Sequence, residues 1–586
     1  MEKISNNLNF MLAKIPGILN STFLKVLVLS FILFIPGNTF KSSGQRLSRD
    51  LNVDLLVNQV GYVPQAGKTV VTKGTRTGKF EVIDLVTQNV VYSGTFKPNT
   101  GDFGEYSVGD FTSFTQEGHY YIKSDTLRSY PFAISKEIYQ SPMKLIVEYF
   151  SHQRCGASIS GYLSPCHLDD GIRQDNGKYQ DVTGGWHDAS DLRKWVEATL
   201  YTVFGLGKTY ELHDIANPQR EKILEELKWG NEYFFKMQEP QGYLMNNIGG
   251  NENRWTDSEI GTKDDRIIRT NPVNMISQFN FVTSEAIMAR IIKAQDVNYS
   301  KKCLDAAVKC FNWSIEPDKE TGPGIIGASI QAAIEMYKTT NQDIYKNFAV
   351  AQAAELKKLQ AKKQEVGVGG FFYTSLSSQE PYKHIWWGCF EFISLCDLIE
   401  IFPDHKDVPI LKEMISDYAN QYLSFFSQRN SFGIIAYGLF SKQDPGGNRK
   451  AGNYWYRYFM QPELRWYVGI NANIASAGIG LLKAGRILND PKLKAIAQKQ
   501  LDWILGVNPF NSSTMIQVGY NNPVRFINGG EFRPPVPLLT GAVMNGLTGD
   551  HNDQPDLIIK NNWQQSEYWT PMVAFTSWLM AEISKI

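Results

Sequence analysis

Asp188 and Asp191 stand three residues apart in the run Asp181-Val182-Thr183-Gly184-Gly185-Trp186-His187-Asp188-Ala189-Ser190-Asp191, which predicts a helix beginning near Leu192. Two carboxylates at a helix start are commonly capping groups. Here two glycines and a tryptophan precede them, a combination that implies a tight backbone at a ligand surface. Two neighbouring carboxylates can hold one water from both sides while one of them removes its proton. That is the demand of a hydrolase. Upstream lie Cys155, Cys166 and His167, and His187 falls inside the run beside Asp188. Two thiolates and two imidazoles form the donor set of a closed tetrahedral zinc site; a disulfide between Cys155 and Cys166 is the competing reading in an oxidising compartment. Cys303 and Cys310, like Cys389 and Cys396, are seven residues apart in helical patterns. That spacing puts their α-carbons about 10 Å apart, so neither pair bonds to itself and buried free thiols are expected. Gly367-Val368-Gly369-Gly370 lacks the Gly-Lys-Ser/Thr ending of a phosphate loop and reads as an ordinary loop.

The elements that must carry these groups change character along the chain. From about Val53 to Ile134 short strand-like segments, such as Thr69-Val70-Val71-Thr72 and His119-Tyr120-Tyr121-Ile122-Lys123, alternate with turn residues, the texture of a small β-sandwich. After Pro131 about a dozen amphipathic helical patterns follow, joined by long Gly-, Pro- and aromatic-rich loops. They suggest paired helices closing into an α/α toroid whose loops build a site. The 586 residues carry 59 Lys+Arg against 59 Asp+Glu, so no net charge draws the chain to polyphosphate and no nucleic-acid role is expected. With 43% hydrophobic and 20% charged residues it is a globular protein. Lys14 and Lys25 precede the apolar run Val26–Ile35, followed by Pro36-Gly37-Asn38. This is the layout of a secretory signal peptide, and the run is too short to span a bilayer about 30 Å thick. A secreted or periplasmic protein with no membrane span in its mature chain is therefore expected.

The segment Gly184 to Asp191 resembles the Gly-Gly-Trp-(His/Tyr)-Asp-Ala-Gly-Asp signature of glycoside hydrolase family 9, with Ser190 in place of the usual glycine. Leu51 to Tyr62, which includes Asn58-Gln59-Val60-Gly61, resembles the opening of the immunoglobulin-like domain that precedes the toroid in one branch of that family. Similarity continues through Trp229–Gln238, Asn280–Ala289, Trp503–Pro509 and Ser566-Glu567. The resemblance implies a multidomain fold: a leader over residues 1–45, an immunoglobulin-like β-sandwich over 46–137 and an all-α (α/α)6 catalytic toroid over 138–586. It implies an inverting mechanism with Asp191 as general base, Asp188 helping to hold the water, and Glu567 as the acid. An acid needs a lone carboxyl in a dry setting, and Glu567 lies among aromatics just before the last helix.

Relatives in the same branch that carry the counterparts of Cys155, Cys166, His167 and His187 bind zinc there, so the resemblance implies a structural zinc. Calcium is frequent in the family, although no loop here has the acidic spacing of an EF-hand. One departure concerns the substrate. Where family cellulases have Pro-His-His-Arg, this chain reads Asn521-Asn522-Pro523-Val524-Arg525-Phe526-Ile527, leaving Arg525 as the basic group that would meet sugar hydroxyls. Trp186, Trp386, Tyr568 and Trp569 are read as further substrate contacts; Trp255, Tyr373, Trp387, Trp455 and Trp466 are additional stacking candidates. The expected enzyme is a monomeric endo-acting hydrolase of a β-1,4-glucan or related β-glycan. An exo-acting enzyme on another glycan, and a carbohydrate-binding protein with weak or no catalysis, stay open as alternatives.

Overall fold

A computed structural model of the chain describes residues 53–158, 165–190, 192–213, 217–249, 266–362, 364, 367–443, 449–523, 539–557 and 562–586. The leader, Asp191, Trp255 and Arg525 lie outside the described residues. The N-terminal part contains strands β1 (Gly61–Tyr62), β2 (Thr69–Lys73), β3 (Lys79–Asp84), β4 (Val90–Gly101), β5 (Gly104–Asp110), β6 (Gly118–Ser124), β7 (Leu127–Arg128) and β8 (Phe132–Ile134). They are ordered β1-β8-β6-β3-β4-β5-β2, with β7 beside β6. The first half of β4 pairs with β3, from Val90 to Thr95, and its second half pairs with β5, from Phe96 onward. One long strand thus joins both faces of the layer. Alternating inward residues (Val70, Phe80, Val82, Phe96, Phe111, Tyr120, Ile122, Phe132) fill a core of their own.

The helical part consists of α1 (Gln140–His152) and α2 (Val196–Leu212), α3 (Asn217–Met237) and α4 (Met275–Ile292), α5 (Val297–Ser314) and α6 (Pro323–Thr340), α7 (Asp343–Leu359) and α8 (Phe390–Ile401), α9 (Val408–Asp417) and α10 (Asn471–Ile487), and α11 (Pro491–Ile504) and α12 (Thr570–Ile583). Neighbour contacts run α2, α4, α6, α8, α10, α12 and back to α2, a closed inner ring, with the odd-numbered helices packed outside. The sequence pattern explains the division. Outer α5 buries Tyr299, Cys303, Ala306, Ala307, Cys310 and Phe311, one stripe at helical spacing. Every residue of inner α12 is buried. All six cysteines are free and buried. No described helix is long and apolar enough to cross a membrane.

Alternation of outer and inner helices makes the inner six run parallel, and their C-terminal ends meet in a network of buried charge. Lys208 of α2 pairs with Glu335 of α6 at 2.6 Å, and Arg290 of α4 with Glu335 at 2.7 Å and Glu211 of α2 at 2.6 Å. Lys483 of α10 pairs with Asp397 and Glu400 of α8, both at 2.7 Å, and with Glu582 of α12 at 3.2 Å. Burial alone would raise the proton affinity of Glu335, but Lys208, Lys338 and Arg290 outweigh it and hold the carboxyl well below its usual range.

Two of the sequence motifs turn out to be the two sides of one interface. Asn58 Nδ2 donates to Asp502 Oδ1 at 2.9 Å, Gln59 Nε2 donates to the carbonyl of Asn511 at 2.8 Å, and the Gln59 backbone N–H donates to Leu505 at 2.9 Å. Next to them Phe103 packs edge-on against Tyr458 at 4.7 Å, while Tyr456 and Tyr458 both donate to Asp102 Oδ2, at 2.7 and 2.9 Å. Burial pushes the Asp502 carboxyl up to about 7, against the opposing effects of Gln498, Asn58, Lys499 and Lys68. The folded chain then binds more protons at this group than the unfolded chain between about pH 4 and about pH 7. Stability from this group is accordingly present at the acidic end and lost as pH rises through that window. Asp502→Asn keeps the shared acceptor oxygen, so relative to wild type it should gain about 2 kcal/mol between pH 5 and pH 7; parallel denaturant titrations at the two pH values check this.

Candidate active site

The turn that carries Asp188 is fixed from three directions. Beneath it lies a sheet of β9 (Ile172–Arg173), β10 (Lys194–Trp195), β11 (Met245–Ile248) and β12 (Ile267–Pro272), ordered β10-β11-β12-β9. From β10 the buried Lys194 ammonium donates to the carbonyls of Val182 (2.7 Å) and Gly184 (3.0 Å) and pairs with Asp170 at 2.8 Å. Arg266 pairs with the same Asp170 at 3.1 Å and donates to the Leu192 carbonyl at 3.2 Å. Gly184 and Gly185 have φ of +84° and +75°, and a Cβ on Gly185 would lie 2.7 Å from the Tyr233 ring, so glycine is required there. The helix expected near Leu192 begins only at Val196. Leu192 has φ +57°, and Lys194 and Trp195 pair with Ile248 and Asn247 as a strand.

The second support is Glu226 of α3, which sequence reading did not single out. Its buried carboxylate accepts from Trp186 Nε1 at 2.6 Å, from Ser151 Oγ at 2.6 Å and from Arg154, which also forms an ion pair with it at 2.9 Å. The third is the Cys/His group. Cys155 Sγ is 3.6 Å from His167 Nδ1 and Cys166 Sγ is 3.5 Å from His187 Nε2; all four side chains are buried, with ligand atoms within 4.8 Å of one another. The Cys155 N–H donates to Gly185 O at 2.9 Å and the His187 N–H to Gln153 O at 2.8 Å, which ties this group to the turn as a short two-stranded bridge. The other described group with metal-type donors, His384, Cys389 and Glu391, is joined by a hydrogen bond from Tyr418 to Glu391 at 2.7 Å.

Asp188 is buried, and its Oδ1 accepts the backbone N–H of Trp195 at 3.1 Å, just ahead of α2. Glu567 sits opposite, three residues before α12, and is only 7% exposed. The strand of chain after it is hydrogen-bonded to the turn: the Thr570 N–H donates to the Asp188 carbonyl at 3.3 Å. One Glu567 oxygen accepts from Ser190 Oγ and from the Ser190 N–H at 3.3 Å; the other accepts from Trp569 Nε1 at 3.0 Å. From there aromatic rings run outward. Trp386 meets Trp569 edge-on at 5.6 Å, Trp563 lies nearly parallel to Trp569 at 6.2 Å and 11°, and Trp466, 41% exposed, meets Trp563 at 5.8 Å.

Two expectations need correction. Trp186 is fully buried with its indole N–H held by Glu226, and a Cβ on Gly230 would overlap its ring, so neither face is open to a sugar. Tyr568 is 2% exposed and packs edge-on against Tyr149, so it is wall and not platform. Trp386 and Trp569 are partly exposed and do face this site; Trp563 joins them although its sequence neighbourhood gave no pattern to single it out. Asn521 and Asn522 of the departing segment spend their side chains on local carbonyls, Asn511 at 2.8 Å and Met515 at 2.8 Å. Near Asp188, on α2, burial pushes the Glu197 carboxyl up to about 7 despite a hydrogen bond from Asn274.

Removing the carboxylate that holds Trp186 should loosen the turn. Glu226→Ala strands the indole N–H and leaves Arg154 only its more distant partner Glu225 at 3.8 Å, at an expected cost of about 1–3 kcal/mol, whereas Glu226→Gln retains an acceptor and should cost less. Denaturant melts of the two variants check the order.

The profile of glycosyl hydrolase family 9 matches residues 139–580, and that of the cellulase N-terminal immunoglobulin-like domain matches residues 52–129. A cellodextrinase from Butyrivibrio fibrisolvens is 24% identical over 538 residues, covering 84% of this chain and 91% of its own length. A cellulose 1,4-beta-cellobiosidase from Acetivibrio thermocellus is 30% identical over 377 residues, and the match covers 50% of this chain but 42% of that protein. Among solved structures, a metagenome-derived family 9 endoglucanase superposes with a TM-score of 0.68 at 22% identity over 91% of this chain and 99% of its own. A Zn-binding triple mutant of endoglucanase J30 superposes with a TM-score of 0.67 at 18% identity over 89% of this chain and 99% of its own. These two structures share its fold of a β-sheet domain followed by an (α/α)6 barrel. With a family profile spanning most of its length, the chain belongs to glycosyl hydrolase family 9.

Proposed function

We propose that this chain is an inverting hydrolase of β-1,4-linked glucan, acting within the chain and leaving a spread of oligomers. The carrying observation is the pairing of Glu567 with the Asp188 turn at the foot of a tryptophan wall. In this reading Asp191 removes the proton of the attacking water, and Asp188, its carboxylate fixed by the Trp195 N–H, holds the water from the other side. The water oxygen bonds to the anomeric carbon as the glycosidic C–O bond breaks, and Glu567 delivers its proton to the departing oxygen. The names of the relatives, cellodextrinase and cellobiosidase, support a cello-type chain. The segment around Arg525, which lacks the two histidines of family cellulases, supports a decorated or mixed-linkage glucan as an alternative preference. Glu567→Gln should cut hydrolysis by three or more orders of magnitude while glycan binding stays close to wild type. A reducing-end assay on carboxymethyl cellulose, mixed-linkage glucan, xyloglucan, glucomannan and chitosan, paired with binding isotherms, reads both; undiminished turnover in the variant would sink the assignment.

The Cys155, Cys166, His167 and His187 group fits a structural zinc. Zinc with sulfur at about 2.3 Å and nitrogen at about 2.05 Å in a tetrahedron separates S from N by about 3.6 Å, which matches the two S···N separations of 3.6 and 3.5 Å. Four protein donors leave no position for substrate, so the ion's part is to brace the backbone between Cys155 and His187. Purified protein should carry about one zinc per chain by elemental analysis, and stripping it with a chelator should lower both the melting temperature and the activity together. A metal-free protein with a Cys155–Cys166 disulfide would overturn this. The same reading places the protein outside the cytoplasm, as a monomer whose leader over residues 1–45 directs export.

A further inference from the structure

Ser190 occupies the signature position where the family resemblance places glycine, and in this structure it is fully buried against Glu567. Its hydroxyl donates to one oxygen of the Glu567 carboxyl, and its backbone N–H reaches the same oxygen at 3.3 Å. A glycine would remove this hydroxyl donor and keep the longer backbone contact. The hydroxyl is not free to drift. Asp188 N–H donates to the Arg193 carbonyl at 3.0 Å, Gln153 Nε2 donates to the Ala189 carbonyl at 3.2 Å, and the Asp188 carbonyl accepts from Thr570 at 3.3 Å. On the far side Trp569 Nε1 donates to the second carboxyl oxygen at 3.0 Å.

We propose that Ser190 is a positioning residue that fixes the orientation of Glu567 and tunes its hold on the proton it delivers. The proposal rests on Glu567 being the acid. A hydroxyl that donates to a carboxylate stabilises its ionised form, so it weakens the group as a base and lowers the pH at which it loses its proton. Among the described residues, the ionisable groups on the elements packed around this carboxyl are Asp188 and Arg193 of the turn and Glu197 in the first turn of α2. The Leu539–Leu547 segment, whose Asn545 N–H donates to the Glu567 carbonyl, adds none. All of these stay in place when only the serine hydroxyl is removed. Because the acid must be protonated to act, kcat/KM falls as pH rises past its titration. Removing the hydroxyl moves that fall to higher pH.

The test is the pH profile of kcat/KM on a soluble β-1,4-glucan oligomer for wild type, Ser190→Ala, Ser190→Gly and Ser190→Thr. Expected is an upward shift of the basic limb by about one pH unit in the alanine and glycine variants, with the threonine variant, which restores a hydroxyl, returning toward wild type. A basic limb that stays put or moves down in both hydroxyl-free variants overturns the proposal. A second reading needs no turnover. The pH at which the stability of wild type departs from that of Glu567→Gln should rise by the same amount when both are made in the Ser190→Ala background, and an unchanged departure point counts against Ser190. Failure of the parent reading looks different: Glu567→Gln would then keep its activity, whatever the serine variants do.

Discussion

Six parallel inner helices closing on themselves impose the main physical constraint on this molecule. Each helix presents partial positive charge at its N-terminal end and partial negative charge at its C-terminal end, and here all six of each kind are gathered on opposite faces. At the C-terminal face the structure answers with cations, Lys208, Arg290, Lys338, Lys483 and Arg486, interleaved with Glu211, Glu335, Asp397, Glu400 and Glu582 so that both signs are matched at contact distance. Buried charges are tolerated only when paired in this way. The opposite face is left to the loops, where carboxylates sit near helix starts and the helix ends' partial positive charge competes with the burial that raises Glu197. Asp188 takes the N–H just ahead of α2. The placement of Asp188 follows from the architecture.

On the same helix-start face Glu567 is set apart by its enclosure: it is capped by Trp569, faced by Ser190 and walled by Tyr568, which in turn packs on Tyr149 of α1. Its position relative to Asp188 draws on the backbone hydrogen bond from Thr570, on the two bonds from Ser190 and on the rigidity of the turn. That rigidity is non-local in origin. It draws on Lys194 and Asp170 through a sheet, on Glu226 through an outer helix, and on the Cys/His group through the segment after α1. Each of these supports is buried, so the precision of the site is drawn from core interactions and is not a property of the loop alone.

What the sequence made legible, and what it hid, divides along the same line. The stripe of α5 and the continuous apolar run of α12 are local patterns, and a helix spans each of them. The Cys/His group was legible as a donor set, and its four ligand atoms do lie within 4.8 Å of one another. Hidden were outcomes decided by distant partners. Leu192 to Trp195 reads as a helix start, yet Lys194 and Trp195 pair with Ile248 and Asn247, more than fifty residues away. Glu226 carries no pattern that singles it out in sequence, yet it is buried and holds Arg154 and Trp186. Trp186 and Tyr568 read as ring platforms because sequence cannot tell a tryptophan that stacks on ligand from one whose indole N–H is claimed inside.

The aromatic wall bears on the kind of molecule this face accommodates. A pocket for a small glycoside needs one or two rings closing over a single sugar. Here the rings continue away from Glu567, from Trp386 and Trp569 through Trp563 to the exposed Trp466, in contacts of 5.6, 6.2 and 5.8 Å. Trp563 and Trp569 lie nearly parallel, at 11°, and stack on one another, so the row is rigid and presents apolar ring surface along its length. On the proposed reading, such a strip would gain binding energy far from the bond that breaks and use it to hold that bond against Glu567, with carboxylates at the parallel helix starts and tryptophans along the face.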